Sequence, residues 1–237
     1  MTALVSWGER FVMEKTAVAG VNICSLTLPR RSVWRRWYAR GGARKLRALN
    51  MKTAVFVKDF PFAEIFAKYG VFPVDIRPLR LALAVPIVCA ALREMGVEPK
   101  DAFVAVRATR VSGEAESLVA ALSAAVRFVS LDAKGGEALG ERLRFYHGVS
   151  LREDFSRASL TLSLEEGEAL GERILALFDR ELHISYDFDA GIADVDAEEL
   201  LALLVLSGLN VQKVAVLGID ASNLLTSAEK NSIMLCT

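Results

Sequence analysis

The sequence predicts an α/β protein: a doubly wound, mainly parallel sheet with helices on both faces, a three-layer sandwich of Rossmann-like or flavodoxin-like type. Three observations predict it. From Met51 to about Asp220, short β-type runs alternate with helical stretches, the pattern of βαβ units. Strand runs such as FVAVR are apolar up to a closing Arg107 rather than alternating, as expected for strands covered on both faces. Apolar residues make up 53% of the 237 and charged residues 24%, enough material for a core.

The elements follow in order from local signals. TAVFVK (53–58) is a strand opening on KDFPF, where Pro61 is placed to start the helix FAEIFAKYG that Gly70 closes. LRLALAVPIVCAALREMG (79–96) has helical apolar spacing through Leu79, Leu83, Ile87, Cys89, Leu92 and Met95, with Pro86 either kinking the helix or starting its second part. FVAVR (103–107) is a second strand and SGEAESLVAALSAA (112–125) a helix with Ser112 as N-cap and acids in its first turn. RFVSL (127–131) is a third strand. GEALGER then occurs twice, at 136–142 and 167–173, each time after a strand, RFVSL and SLTLSL (159–164), which reads as two copies of a strand-loop-helix unit. Gly140 and Gly171 inside those helices imply close packing of helix on sheet. LHISY (182–186), AEELLALLVLSG (197–208) and QKVAVLG (212–218) complete the alternation. Residues 51–220 are therefore expected as a single domain and 221–237 as a C-terminal tail.

The first fifty residues differ in composition. They hold ten Lys or Arg against two acidic residues, a charge of +8, while residues 51–237 hold 19 basic and 27 acidic residues, a charge of −8. All three tryptophans, Trp7, Trp34 and Trp37, lie among them beside Arg30, Arg31, Arg35, Arg36, Arg40, Arg44, Lys45 and Arg47. Three readings fit: a basic aromatic arm for phosphate backbone, an Arg-rich transit peptide, or upstream sequence preceding a true start at Met51. The third is preferred, because no periodic pattern persists through residues 29–50. Residues 1–50 are thus expected outside the core.

Several function classes lack their signatures. The longest unbroken apolar stretch, Leu81 to Leu92, is twelve residues, short of the roughly 20 that cross a bilayer. Cys24, Cys89 and Cys236 are odd in number and widely spaced, which fits neither a disulfide framework nor a structural zinc site and points to a cytoplasmic setting. Neither GxGxxG nor GxxxxGK[ST] is present. A net acidic body is not the footprint of a nucleic-acid binder, so that claim would rest on the first fifty residues alone.

Ligands of doubly wound sheets bind at the carboxyl ends of the strands. There the sequence places Lys58, then Arg107, Arg110 and Ser112, then Lys134, Gly135 and Gly136. KGGE (134–137) sets a lysine and two glycines at a helix start, either an anion cradle or a tight turn, the commoner role of a glycine pair. This set predicts a site for a small anionic ligand, with a protein partner as the other occupant. Asp187 and Asp189, one residue apart in YDFDAG, offer hard oxygen ligands for Mg²⁺ or Mn²⁺. They resemble the DxD of nucleotide-sugar transferases and of haloacid-dehalogenase phosphatases, over these few residues only. Gly191 stands where the latter carry threonine or valine. The resemblance implies a metal-dependent transferase or hydrolase of phosphorylated or nucleotide substrates. The alternative is an acidic loop whose Asp194 and Asp196 cap the next helix. His183 in a strand and Cys89 among apolar neighbours read as structural.

Overall fold

The computed structural model describes residues 2–148, 151, 157–165, 173–188, 191–192 and 194–220. In chain order the elements are β1 (Ala3–Gly8), β2 (Val12–Val18), β3 (Val21–Pro29), α1 (Arg35–Ala48), β4 (Thr53–Phe56), α2 (Ala63–Lys68), β5 (Phe72–Pro73) and α3 (Arg77–Ala82). There follow α4 (Ala84–Glu94), β6 (Phe103–Arg110), α5 (Gly113–Ala125), β7 (Phe128–Lys134) and α6 (Gly136–His147). β8 (Leu160–Ser163), β9 (Ile174–Ala176), β10 (Ile184–Tyr186), α7 (Ala197–Leu206) and β11 (Val216–Ile219) complete the series. The chain divides into two compact units, Met1–Leu79 with Phe188–Val214, and Arg80–Asp187 with the chain from Ala215.

The first unit is built on a five-stranded sheet of order β2-β3-β1-β4-β5. β1 lies parallel to β3 on one side and to β4 on the other, so that Val5 is level with Leu26 and with Phe56. Only the edge strand β2 runs antiparallel, joined to β3 by the turn Ala19–Gly20, both at positive φ, as two-residue hairpins require. Alternation sends Ala3, Val5, Cys24, Leu26, Leu28, Ala54 and Phe56 to one face, where they form a core with Ala39, Ala43 and Leu46 of α1 and Phe66 of α2. Leu4, Ile23 and Val55 point the other way and are buried too. α7 packs against β4 and buries Leu200, Leu201, Leu203 and Leu204, which makes three layers.

This arrangement corrects the expectation that residues 1–50 lie outside the core. β1 is the middle strand of the sheet, and Ala3, Val5, Leu26, Leu28 and Leu46 have no exposed surface. The helical period of 29–50 escapes notice because its inward stripe, Ala39, Gly42, Ala43 and Leu46, is mostly small residues between arginines. Small residues are needed there: a Cβ on Gly42 would stand 2.8 Å from Leu26 Cδ2. The composition step at Met51 marks an arginine-rich helix face, and a single domain over 51–220 gives way to two units.

The second unit carries a wholly parallel sheet of order β7-β6-β8-β9. Phe103 to Val106 of β6 are buried consecutively, which requires cover on both faces. α5 packs on β6 and β7, and α6 on β7. The α/β, mainly parallel class that the sequence predicts is thus what the chain adopts. Two details differ. LHISY and KVAVLG do not extend the parallel sheet: among the described residues, β10 and β11 pair with each other, antiparallel. Gly140 is not pressed against the sheet: a Cβ there would meet Leu151 at an ordinary 3.7 Å. The second GEALGER (167–173), except Arg173, and the tail 221–237 lie outside the described residues.

Pro86 sits in the first turn of α4, after a break at Leu83 that separates it from α3, where its missing N–H is harmless. Arg80 of α3 is 1% exposed, and its guanidinium donates to the carbonyl oxygens of Leu177 (3.0 Å), Leu182 (2.9 Å) and Asp179. Leaving such carbonyls without a donor costs about 1–3 kcal/mol each. Arg80→Ala should therefore destabilise the second unit by about 3 kcal/mol or more, measured by urea unfolding, and Arg80→Lys should recover only part of the loss because an ammonium lacks the planar fork.

In α7, Asp196 caps the helix by accepting from the amides of Glu198 (2.9 Å) and Glu199 (3.1 Å). Burial holds the Glu199 carboxyl above the usual carboxylate range, and the Asp196 and Glu198 charges push it the same way. A raised folded-state pKa means that stability is lost as pH rises through it. Glu199→Gln is expected to melt higher than the wild type at neutral pH, and the difference should vanish below about pH 4, where the carboxyl is protonated in both states.

Candidate functional site

The parallel strands β1 and β3 end level with each other, Gly8 opposite Pro29, while β4 stops three residues short, with Phe56 opposite Val5. Outside these carboxyl ends lies a cleft of about 1050 Å³, where open α/β sheets take their ligands. Its lining comes from the strand ends (Ser6, Trp7, Gly8, Pro29, Val57), from the loops that follow them (Glu9, Arg30, Arg31, Ser32, Lys58, Asp59), and from Asp194.

The local structure explains how each part is placed. Gly8 is required by closeness: a Cβ there would stand 2.3 Å from Thr27 Cγ2 on the neighbouring strand. Its carbonyl accepts from the Arg30 amide at 2.9 Å, which carries the pairing one residue past β3. The Trp7 indole rests on Phe60, with ring centres 5.1 Å apart, and meets Phe62 edge-on at 6.2 Å. Phe60 in turn contacts Phe56 and Phe66, so the floor beside the cleft is an aromatic cluster. Val57 bridges antiparallel to Val195, and the Lys58 amide donates to the Asp194 carbonyl at 2.7 Å. This return of the chain brings Asp194 to the rim.

Asp59 and Asp194 both have positive φ, 57° and 63°. Asp adopts this region more readily than most residues but not freely, and such outliers concentrate at functional positions. The charged side chains of the cleft are balanced, Arg30, Arg31 and Lys58 against Glu9, Asp59 and Asp194, and all six are exposed. Among the described residues, the ion pairs recorded involve none of them. The mouth therefore offers separate positive and negative groups at a strand edge, with Ser6 and Ser32 supplying hydroxyls.

Of the residues predicted for the anion site, Lys58 lies in this cleft, while Arg107, Arg110, Ser112, Lys134, Gly135 and Gly136 lie in the second unit. There, Arg107 pairs with Asp132 at 3.1 Å. The Ser112 hydroxyl caps α5 by accepting from the Ala115 amide at 3.1 Å. Arg110 and Lys134 are register partners on adjacent strands, just before Gly135, which starts α6 in a left-handed conformation, and Gly136. Arg110, Lys134 and Gly135–Gly136 are thus brought together, Arg107 is charge-paired, and Ser112 is engaged by the backbone.

Asp187 follows β10, its amide bonded to the Ala215 carbonyl at 2.8 Å. It leaves the antiparallel β10–β11 pair, not the carboxyl edge of the parallel sheet. Asp189 lies outside the described residues, as does Cys236. Burial pushes the Cys24 and Cys89 thiols above their usual range against the smaller opposing effects of Lys15 and Arg93, the setting of inert thiols. Arg30 and Arg31 were visible in the sequence as part of a basic run. It is the burial of β1 and β3 that brings them to a strand end.

No protein-family model and no curated protein matches this chain. Among solved structures, it is 12% identical to L-tryptophan dehydrogenase from Nostoc punctiforme with a TM-score of 0.29, covering 68% of this chain and 55% of that one. A shikimate 5-dehydrogenase-like protein gives 12% identity, a TM-score of 0.26, and coverage of 69% and 65%. Likenesses this slight carry no argument about activity, and the fold rests on the sheet topology of the chain itself.

The Gly8 contact tests the cleft wall. Gly8→Ala should destabilise the first unit by about 1–3 kcal/mol through methyl overlap with Thr27. Combining it with Thr27→Ser, which deletes the obstructing methyl, should restore most of the loss in a double-mutant cycle read by thermal melting.

Proposed function

We propose that this protein binds a small anionic ligand in the cleft at the carboxyl edge of its first sheet. The observation that carries this reading is the convergence of Arg30, Arg31 and Lys58 on one opening at the ends of β1, β3 and β4. Guanidinium and ammonium groups at a strand edge suit a carboxylate or phosphate, and Arg holds such groups through paired donors. Ser6 and Ser32 add hydroxyls on the same wall. Glu9, Asp59 and Asp194 share the opening, so the best ligand carries its anionic group at one end and hydrogen-bond donors at the other. Trp7 beside the opening supplies a flat apolar surface for the part between.

Arg110, Lys134 and the amides at Gly135–Gly136 form the other candidate for an anion, in the second unit. Inorganic phosphate distinguishes the two. It should raise the melting temperature, and the rise should shrink with added sodium chloride. Arg30→Ala with Lys58→Ala should abolish the rise, while Arg110→Ala with Lys134→Ala should leave it intact. The reverse pattern would move the site to the second unit, and a rise unaffected by either pair would overturn the reading.

A further inference from the structure

We propose that the outward face of α1 is a binding surface for single-stranded nucleic acid, separate from the cleft and independent of its ligand. From Lys15 to Lys58 the chain contains no acidic residue. Within that span, α1 carries Arg35, Arg36, Arg40, Arg44, Lys45 and Arg47, all exposed. Arg36, Arg40 and Arg44 follow one another at intervals of four, so their like charges repel along one side of the helix. The recorded ion pairs among the described residues include none of these six. Arg44 and Lys45 instead lie over the rings of Tyr69 and Phe11. A basic helix without an internal counter-charge selects an external polyanion.

The aromatic residues narrow the class of polyanion. Trp34 is 67% exposed and Trp37 64%, with Val33 beside them at 93%. Trp37 is positioned as well as exposed. It meets Tyr38 edge-on at 5.3 Å, and Tyr38 stacks on Phe11 at 5.8 Å. Indoles offered among arginines provide stacking surfaces for unpaired bases, which a duplex keeps buried. The helix spends its apolar stripe, Ala39, Gly42, Ala43 and Leu46, on the sheet. An interfacial membrane helix would turn that stripe outward, so a lipid surface fits less well. Arginine outnumbers lysine seven to one over residues 30–47, and guanidinium both forks onto phosphate and stacks on bases. The fourteen residues of α1 extend about 21 Å, enough to run beside several phosphates.

The test is fluorescence anisotropy of the full chain with a labelled oligothymidylate. Binding at low salt should weaken with a log–log salt slope of about −3 if four phosphates are met. Arg36→Glu with Arg40→Glu should weaken binding about tenfold or more and make the slope shallower by about 1.4. Trp34→Ala with Trp37→Ala should weaken it about tenfold while leaving the slope unchanged, and should abolish the indole quenching that accompanies binding. All four positions are exposed, so the variants should melt with the wild type. Absence of binding, indifference to the Glu pair, or equal affinity for a duplex would overturn the proposal. So would binding to phosphatidylcholine–phosphatidylserine vesicles in place of the oligonucleotide. None of these substitutions touches the cleft, so failure here and failure of the phosphate reading are separable.

Discussion

The first unit depends on β1 lying between β3 and β4. Remove that strand and the sheet falls into a β2–β3 hairpin and the short β4–β5 pair, neither of which has the three or more strands that stand alone in water. Its backbone is paired on both sides, and Ala3, Leu4 and Val5 are buried on successive faces. Its buried stretch, Ala3 to Val5, is apolar, and the strand runs on to end beside β3. The common ending of β1 and β3, with β4 stopping short at Phe56, places Gly8, Pro29 and Val57 on one opening. The cleft is therefore a consequence of the register, with loop residues supplying its charges.

The second unit uses another device. The carbonyls of Leu177, Asp179 and Leu182 lie in irregular chain after β9 and receive their donors from one buried guanidinium. A helix or strand would have satisfied such groups internally. Here a side chain from far earlier in the sequence does so, and its five donors in a plane suit a set of carbonyls better than a single ammonium would. Arg80 thus fixes the path of residues 177–182 that leads into β10.

The two faces of α1 show how one segment meets two constraints. Its inward stripe must be small, because Gly42 lies almost in contact with Leu26, so the segment has little hydrophobicity by which to declare itself a helix. Its outward positions carry its charge. The same arginines that give the chain its basic first fifty residues cover one of its central packing contacts.

The sequence by itself determined the α/β class, since apolar strands alternating with helices need a sheet covered on both faces. It also determined the local caps: Ser112 and Asp196 bind the helix starts that follow them, because a cap is settled within a few residues. It placed Lys58 at a strand end, again a local matter. Tertiary structure alone decided that residues 1–50 are core. Burial of Ala39, Gly42 and Ala43 comes from contact with β3 and not from their own hydrophobicity. It alone decided that Arg30, Arg31 and Lys58 share an opening, that Arg107 is matched by Asp132, and that β10 joins β11 rather than the parallel sheet. These are pairings between strands distant in sequence. Their register follows from which faces are buried together, a property that no single segment carries.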